Sequence, residues 1–259
     1  MDFLVQALQY IFDPANYISG SRSPLPIQDR IGEHLLYTLI AVLIAAAIAL
    51  PLGLYIGHSG RGRQFVIAFT AAMRALPTLG LLYFFTMVLN GTVGFRQTAF
   101  IGSIVALIIL AIPSTLAGAY SGVESVDRQT IDAARANGMT EWQILTKVEI
   151  PLALPLIIGG VRSSVLQVIA TATIASFIGL GGLGRIITTG IALNDYQVML
   201  AGALLVTTLA LVIDGLFALG QRLTRTRGLK ASSREIRRRL RDQSPGQVAP
   251  VGLPTNEGK

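Results

Sequence analysis

The sequence predicts an all-α integral membrane protein with about five transmembrane helices. Of its 259 residues, 52% are hydrophobic and only 14% are charged, whereas soluble domains carry roughly a quarter charged residues. Five apolar stretches are long enough to cross a bilayer, which takes roughly 20 helical residues. The segments between them are too short to form a soluble domain.

The five predicted spans divide the chain into three parts. An N-terminal arm over 1–34 precedes a transmembrane domain over 35–220, and a basic tail over 221–259 follows it. The second and fourth spans are less purely apolar than the others, since each carries one arginine. The predicted spans cover residues 35–57, 65–89, 98–120, 152–177 and 198–220.

The N-terminal arm begins MDFLVQALQYIF. It has neither a basic n-region nor a small-residue cleavage site, so we do not expect a removed signal peptide. Leu4, Leu8, Ile11 and Phe12 recur at helical spacing, which predicts a short helix lying on the outer membrane surface. A mobile terminus is the alternative that the sequence leaves open.

The net charge of +7 is concentrated in the tail, which holds nearly half of the basic residues. A basic block beside an apolar span is typical of the cytoplasmic side of a membrane rather than of a nucleic-acid site. The loop after the first span adds Arg61 and Arg63. These charges predict a multi-pass membrane protein with its N-terminus outside and its C-terminus in the cytoplasm. We expect the tail to contact anionic lipid and its end to be disordered.

The predicted cytoplasmic loop between the third and fourth spans, residues 120–151, carries the clearest pattern. DRQTIDAARAN favours a helix that Gly138 ends, because glycine tolerates the left-handed conformation. Thr140 and Gln143 form a capping box that starts a second helix. In that helix Trp142, Leu145 and Val148 are predicted to share one face. Pro151 is predicted to bend the chain back into the membrane.

Two short helices joined by a turn also raise the possibility of a DNA-binding helix-turn-helix. This loop is slightly acidic, so a phosphate backbone would gain little from it. We therefore expect the loop to bind a cytoplasmic protein and not a nucleic acid.

The loop resembles the "EAA" loop of binding-protein-dependent ABC importer permeases, with aspartate in place of the glutamate. The resemblance implies a MetI-like permease fold, the bacterial inner membrane as the location, and a loop that docks into a groove on a separate ATP-binding subunit. Met139 and Trp142 are candidate apolar anchors, although burial of Trp142 against the permease's own helices is an equal alternative. The matching positions are Asp132, Ala133, Ala134, Gly138, Ile150 and Pro151.

Three further segments narrow the resemblance. MRALPTLGLLYF, ASFIGLGGLGRIITTGI and VIDGLFALGQRLT are similar to osmoprotectant permeases for glycine betaine, carnitine, choline or proline betaine. The resemblance covers roughly residues 31–225. It implies an extracellular or periplasmic binding protein and a second permease, identical or related, as partners.

A glycine cluster near the end of the fourth span superficially resembles a phosphate loop. The chain lacks the strand that such a loop needs, and no G-x-x-x-x-G-K-[ST] occurs, so ATP is expected in a partner subunit only. Glycines here are expected to break a helix at membrane depth, as a gate or a contact with the binding protein. A plain turn is the alternative. The glycines are Gly179, Gly181, Gly182 and Gly184.

Charged side chains inside spans are costly in lipid and indicate function or pairing. Arg162 and Asp214 are placed to pair, as a structural ion pair or as part of a gate or pathway. His34 and His58 lie at opposite ends of the first span, so they cannot cooperate. With neither paired carboxylates nor metal-ligand spacing, we expect no enzyme activity, no metal and no cofactor in this chain.

These observations predict the membrane subunit of an importer, in which a separate ATPase drives alternating access through the loop. A permease for methionine or another small amphipathic solute shares the loop pattern and remains an alternative. An ion-coupled secondary transporter is the alternative from another class, although such proteins usually show inverted repeats or a charged coupling site.

Overall fold

A computed structural model of the chain describes residues 2–18, 26–91 and 94–224. These residues are almost entirely helical. A π-helical turn, Leu145–Glu149, joins α7 to α8, and short 3-10 turns cover Pro14–Tyr17 and Ser176–Ile178. The prediction for the tail beyond residue 224 lies outside the described residues. The helices are α1 (Asp2–Phe12), α2 (Ile27–Ser59), α3 (Arg63–Ala75), α4 (Thr78–Leu89), α5 (Phe95–Glu124), α6 (Arg128–Ala136), α7 (Glu141–Ile144), α8 (Ile150–Ala175), α9 (Gly184–Leu193) and α10 (Tyr196–Thr224).

Four helical segments among the described residues are long and apolar enough to cross a membrane: α2, α5, α7 continued into α8, and α10. A fifth span is formed only if α3 and α4 are counted together, and these two helices meet at an angle of 87°. The predicted span over 65–89 is therefore not one straight helix. Leu76 is extended, with ψ of 131°, because a proline at the next position disfavours the helical conformation.

The core is built by α5, which packs against α2 on one side and α8 on the other. Gly118 of α5 faces Gly160 of α8 so closely that a Cβ on Gly118 would lie 2.5 Å from the Cα of Gly160. The Ser164 hydroxyl donates to the carbonyl oxygen of Ala111 at 3.1 Å. Small residues and hydrogen bonds between helices hold membrane bundles together, because lipid supplies no hydrophobic force between apolar helices.

The N-terminal arm forms α1, as the spacing of its apolar residues predicts. Ala7 and Tyr10 are buried together with Val198 and Ala201 of α10. The α1 helix thus packs against the bundle, and Leu4 and Phe12 stay exposed on its other side. Whether this side rests on the outer membrane surface stays a prediction.

The two ends of the bundle carry different features. At one end the last turn of α2 and the start of α3 meet the end of α5, α6 and α7. At the other end the glycine cluster lies against the first turns of α2, and α1 contacts the start of α10. The predicted loop site and the predicted gate are therefore on opposite faces of the protein.

Candidate functional site

The helical pair α6 and α7 forms a tightly defined turn at one end of the bundle. Asp127 caps α6 by accepting a hydrogen bond from the backbone N–H of Gln129 at 3.0 Å. The predicted capping box is confirmed at the start of α7, where the Gln143 side chain accepts from the Thr140 N–H at 2.9 Å. Both helices thus begin with a side-chain cap.

Gly138 ends α6, as predicted, with φ of +79°. The N–H of Met139 donates to the carbonyl oxygen of Ala134 at 3.2 Å, and the N–H of Gly138 donates to that of Arg135 at 2.9 Å. This pair of hydrogen bonds is the Schellman motif, in which a left-handed residue closes the helix end. The turn therefore requires a residue that tolerates positive φ.

The motif residues separate into exposed and buried positions. Asp132 and Ala133 are exposed on α6, Met139 is half-buried in the turn, and Ala134 packs inward. Trp142 is 72% exposed, so it is not buried against the permease's own helices. Leu145, three residues later on the predicted shared face, is buried, so the two side chains differ in exposure. Trp142 lies in the first turn of α7, which projects beyond the bundle, and Ile144 and Leu145 fill the buried side.

An arginine links the two short helices across the turn. The Arg135 guanidinium donates to both carboxylate oxygens of Glu141, at 2.7 and 3.0 Å, and to Asp132 at 3.3 Å. The hydrogen bonds to Glu141 raise the pKa of Arg135 above its ordinary value. Because this pairing adds to the capping and the Schellman turn, α6 and α7 present their surface in one fixed arrangement.

Pro151 does not bend the chain, and that prediction is wrong. The helix that begins at Glu141 continues through the π-helical turn into α8, with exposed Pro151 and half-buried Ile150 in the first turn of α8. A proline ring clashes with the carbonyl four residues earlier, here that of Lys147. The wider π-helical turn lies at that position and accommodates the ring.

Two residues that the sequence did not single out meet at the base of this pair of helices. The imidazole Nδ1 of His58 lies 2.6 Å from the Oε2 of Glu149, which is only 3% exposed. His58 belongs to α2 and Glu149 to the π-helical turn, 91 residues later. No local pattern signals such a contact, because only the packing of α2 against α8 brings the two together.

The glycine cluster at the opposite end interrupts the helix between α8 and α9, as predicted. Gly179 and Gly182 have φ of +99° and +78°. A Cβ on Gly184 would collide with the carbonyl oxygen of Thr173, and one on Gly181 would collide with the Glu33 carboxylate. Gly179 and Gly182 are thus required by their dihedral angles and Gly184 by the close approach of backbone, whereas a side chain at Gly181 would displace Glu33.

This glycine loop is held against α2 by polar contacts. The Gly182 N–H donates to the Glu33 carboxylate at 2.8 Å, and the Arg30 guanidinium donates to the same oxygen at 2.9 Å. The Nε2 of buried His34 lies 3.1 Å from the carbonyl oxygen of Ile169 in α8. The glycine loop is therefore fastened to α2 through Glu33, and its role as a gate, a binding-protein contact or a plain turn stays a prediction.

Arg162 and Asp214 form the ion pair that their positions predict. The guanidinium donates to both carboxylate oxygens of Asp214 at 2.6 Å, and to the Gln221 side chain at 3.1 Å. Gln221 in turn donates to the carbonyl oxygen of Pro155. The pair joins α8 to α10, which suits a structural role. A role in a gate or pathway stays a prediction.

Comparison with known proteins identifies the family. Residues 49–226 match the family described as "Binding-protein-dependent transport system inner membrane component". The chain belongs to this family. It is a multi-pass protein of the inner membrane, and the resemblance seen in the 120–151 loop is confirmed.

Curated relatives are permeases of osmoprotectant importers. The glycine betaine/carnitine/choline transport system permease protein OpuCB of Bacillus subtilis is 36% identical over 201 residues, which covers 78% of this chain and 89% of that protein. The carnitine transport permease protein OpuCB of Listeria monocytogenes is 38% identical over 189 residues, covering 73% and 83%. These relatives are transport proteins and not enzymes.

Solved structures confirm the all-α, MetI-like fold. An inward-facing MetNI methionine ABC transporter gives a TM-score of 0.65 at 24% identity, covering 76% of this chain and 94% of that one. A bacterial alginate ABC transporter in complex with its periplasmic protein gives a TM-score of 0.63 at 17% identity, covering 86% of this chain and 88% of that one.

In the part of this chain that the structure describes, no cluster of His, Cys, Asp or Glu could hold a metal ion.

Proposed function

We propose that this chain is the translocation subunit of an ABC importer for quaternary-ammonium osmoprotectants such as glycine betaine, carnitine or choline. A separate ATPase drives alternating access by docking on the surface of α6 and α7. The substrate class rests on the named substrates of relatives that cover about three quarters of the chain. The relatives named for choline extend the same class.

The exposure of Trp142 carries the docking proposal. A large aromatic side chain that is 72% exposed on a fixed helical pair is a typical anchor of a protein interface. Asp132 and Ala133 lie exposed on the adjacent helix, and small residues there permit close approach of a partner helix. A lipid-facing role does not suit this surface, because it combines the aromatic ring with several charged side chains.

The remaining partners are expected at other surfaces of the molecule. The glycine loop and α9 carry exposed Ile191 and Leu193, which suit contact with an extracellular binding protein. A second permease, identical or related, completes the membrane path, with the glycine loop and the Arg162–Asp214 pair as parts of its gate. The basic tail contacts anionic lipid. ATP is bound only by the partner subunit.

The docking proposal is tested with Gly138→Asp. Both the positive φ of +79° and the docking surface disfavour an aspartate at this position. We expect uptake to fall about tenfold or more, as when an interface anchor is lost, while the chain still inserts into the membrane. Uptake of labelled glycine betaine is measured in cells that carry the importer.

Gly91→Asp is the matched control. Gly91 has a similar φ of +85°, and a Cβ there, as at Gly138, would meet no atom within 4 Å. It lies between α4 and α5, far along the chain from α6 and α7. Normal uptake with Gly138→Asp would refute the docking proposal, and equal losses in both variants would show backbone strain instead.

The substrate is tested by transport with the cognate binding protein. Uptake of each of four labelled solutes (glycine betaine, carnitine, choline and methionine) is measured in the presence of the other three, unlabelled, as competitors. A preference for methionine would reject the osmoprotectant class, and uptake that continues without any ATPase but requires an ion gradient would favour a secondary transporter.

A further inference from the structure

His58 lies in the last turn of α2, between two carboxylates from another part of the chain. Its Nδ1 is 2.6 Å from the Oε2 of Glu149, and its Nε2 is 3.4 Å from the Oε2 of Glu141. Glu149 belongs to the π-helical turn and Glu141 to the first turn of α7. The imidazole ring therefore bridges the membrane helix α2 and the helix that carries Trp142.

Both ring nitrogens of His58 face carboxylate oxygens, one on Glu149 and one on Glu141. A carboxyl group as buried as that of Glu149 needs a hydrogen-bonding partner. The imidazole supplies that partner and holds the two carboxyl groups on opposite edges of one rigid ring.

The charged side chains near His58 line a cavity of about 110 Å³ beside the imidazole. Arg63 of α3 forms an ion pair with Glu124 of α5 at 3.0 Å. Arg135 forms ion pairs with Glu141 and Asp132. The charged and titratable residues around this cavity are Arg63, Tyr120, Glu124, Arg128, Asp132, Arg135 and Glu149.

The contacts form a continuous path from the surface to the bundle. Exposed Asp132 pairs with Arg135, Arg135 pairs with Glu141, and Glu141 faces His58. His58 then contacts buried Glu149. Since α2 packs along both α5 and α8, a displacement of its end acts on the central helices of the protein.

We propose that His58 is a positioning residue that ties α7 to the end of α2 and transmits movement of the docking helices into the membrane bundle. This inference rests on the proposed docking of an ATPase on α6 and α7. It assigns to His58 a part in coupling that lies outside the docking surface itself.

The coupling is tested with His58→Gln in the complete importer. Glutamine keeps a hydrogen-bonding side chain of similar reach but lacks the rigid ring whose two nitrogens face the two carboxyl groups. We expect the ATPase to stay bound and its basal hydrolysis to persist, while the stimulation by loaded binding protein falls about tenfold towards unity. Arg63→Gln is the control, because it breaks a neighbouring ion pair of the same cavity outside the path.

A purely structural role would give a different result. It would lower the amount of assembled complex and leave the stimulation per complex unchanged. That result, or a stimulation that His58→Gln and Arg63→Gln lower equally, would overturn the proposal. Failure of the unmodified chain to retain any ATPase would instead refute the proposed function.

A distance measurement tests the tie without the ATPase. The chain has no cysteine, so Arg61→Cys and Lys147→Cys place two spin labels on either side of His58. We expect a narrow distance distribution in the otherwise unmodified chain and a broad one when His58→Gln is added. An equally narrow distribution in both would overturn the tie, whatever the outcome of the ATPase assay.

Discussion

At the scale of single residues, the proposed docking surface on α6 and α7 depends on side chains whose exposure differs sharply between neighbours. Trp142 projects from the first turn of α7, whereas Ile144 is completely buried two positions later. An exposed aromatic ring contributes little packing to the free protein, and it buries a large apolar area when a partner covers it. This is the arrangement expected of an anchor.

Trp142→Ala is expected to weaken binding of the ATPase subunit by about 2 kcal/mol or more, roughly 30-fold, the loss typical of an interface anchor. The measurement is titration of the detergent-solubilised permease with the ATPase. Trp142→Phe keeps an aromatic ring and is expected to retain most of the affinity. Unchanged affinity of Trp142→Ala would remove this residue from the interface.

The same residue offers a direct optical readout. Trp142 is the sole tryptophan of the chain, so the tryptophan emission of the free permease reports a solvent-exposed indole. We expect the emission to shift to the blue when a tryptophan-free variant of the ATPase covers it. A spectrum that does not change on complex formation would contradict docking at α7.

At the scale of helices, close approach of backbones explains where the sequence places glycine. Gly118 and Gly160 face each other across α5 and α8, where no side chain fits. By contrast, Gly215 of α10 is a helical glycine with open space around it. The two kinds of glycine look alike in the sequence, and only helix packing distinguishes them.

Gly160→Ala is expected to destabilise the protein by about 1–3 kcal/mol, the usual cost of overpacking. The added methyl would lie 2.7 Å from the Cα of Gly118 and force the helices apart. Gly215→Ala is the control, and it is expected to be neutral or to stabilise by up to about 1 kcal/mol through helix propensity. Thermal unfolding in detergent measures both, and equal stabilities would contradict the packing of α5 against α8.

At the scale of the whole molecule, long helices join the end that carries α6 and α7 to the end that carries the glycine loop. The docking helices and His58 lie at one end, and the glycine loop with Glu33 lies at the other. The α2 helix reaches both, because Glu33 and His58 are near its two termini. A shift of α2 would therefore move contacts at both of its ends, at Glu33 and at His58.

The proposed orientation is tested by labelling single cysteines in a chain that has none of its own. Leu193→Cys at the glycine-loop end is expected to react with an impermeant maleimide in intact cells. Thr130→Cys on α6 is expected to react only after the membrane is opened. Both positions are exposed, so the opposite pattern would reverse the topology.

Much of the architecture follows from local sequence patterns. Capping at Thr140, the glycine that ends α6, four of the five predicted apolar spans and the α1 helix depend on residues close together in the chain, and each is found as expected. The 87° bend at Leu76 and Pro77 was missed although the proline signals it. The continuous helix through Pro151 was missed because hydropathy carries no sign of a π-helical turn.

The sequence by itself determined the membrane class, four of the five predicted spans, the loop pattern and the family, since these depend on hydropathy, charge distribution and short-range motifs. Only the tertiary structure decided that Trp142 faces outward, that the glycine loop is fastened to Glu33, and that His58 meets Glu149. The last two features join residues far apart in the chain, and the packing of α2 against the other helices brings them together.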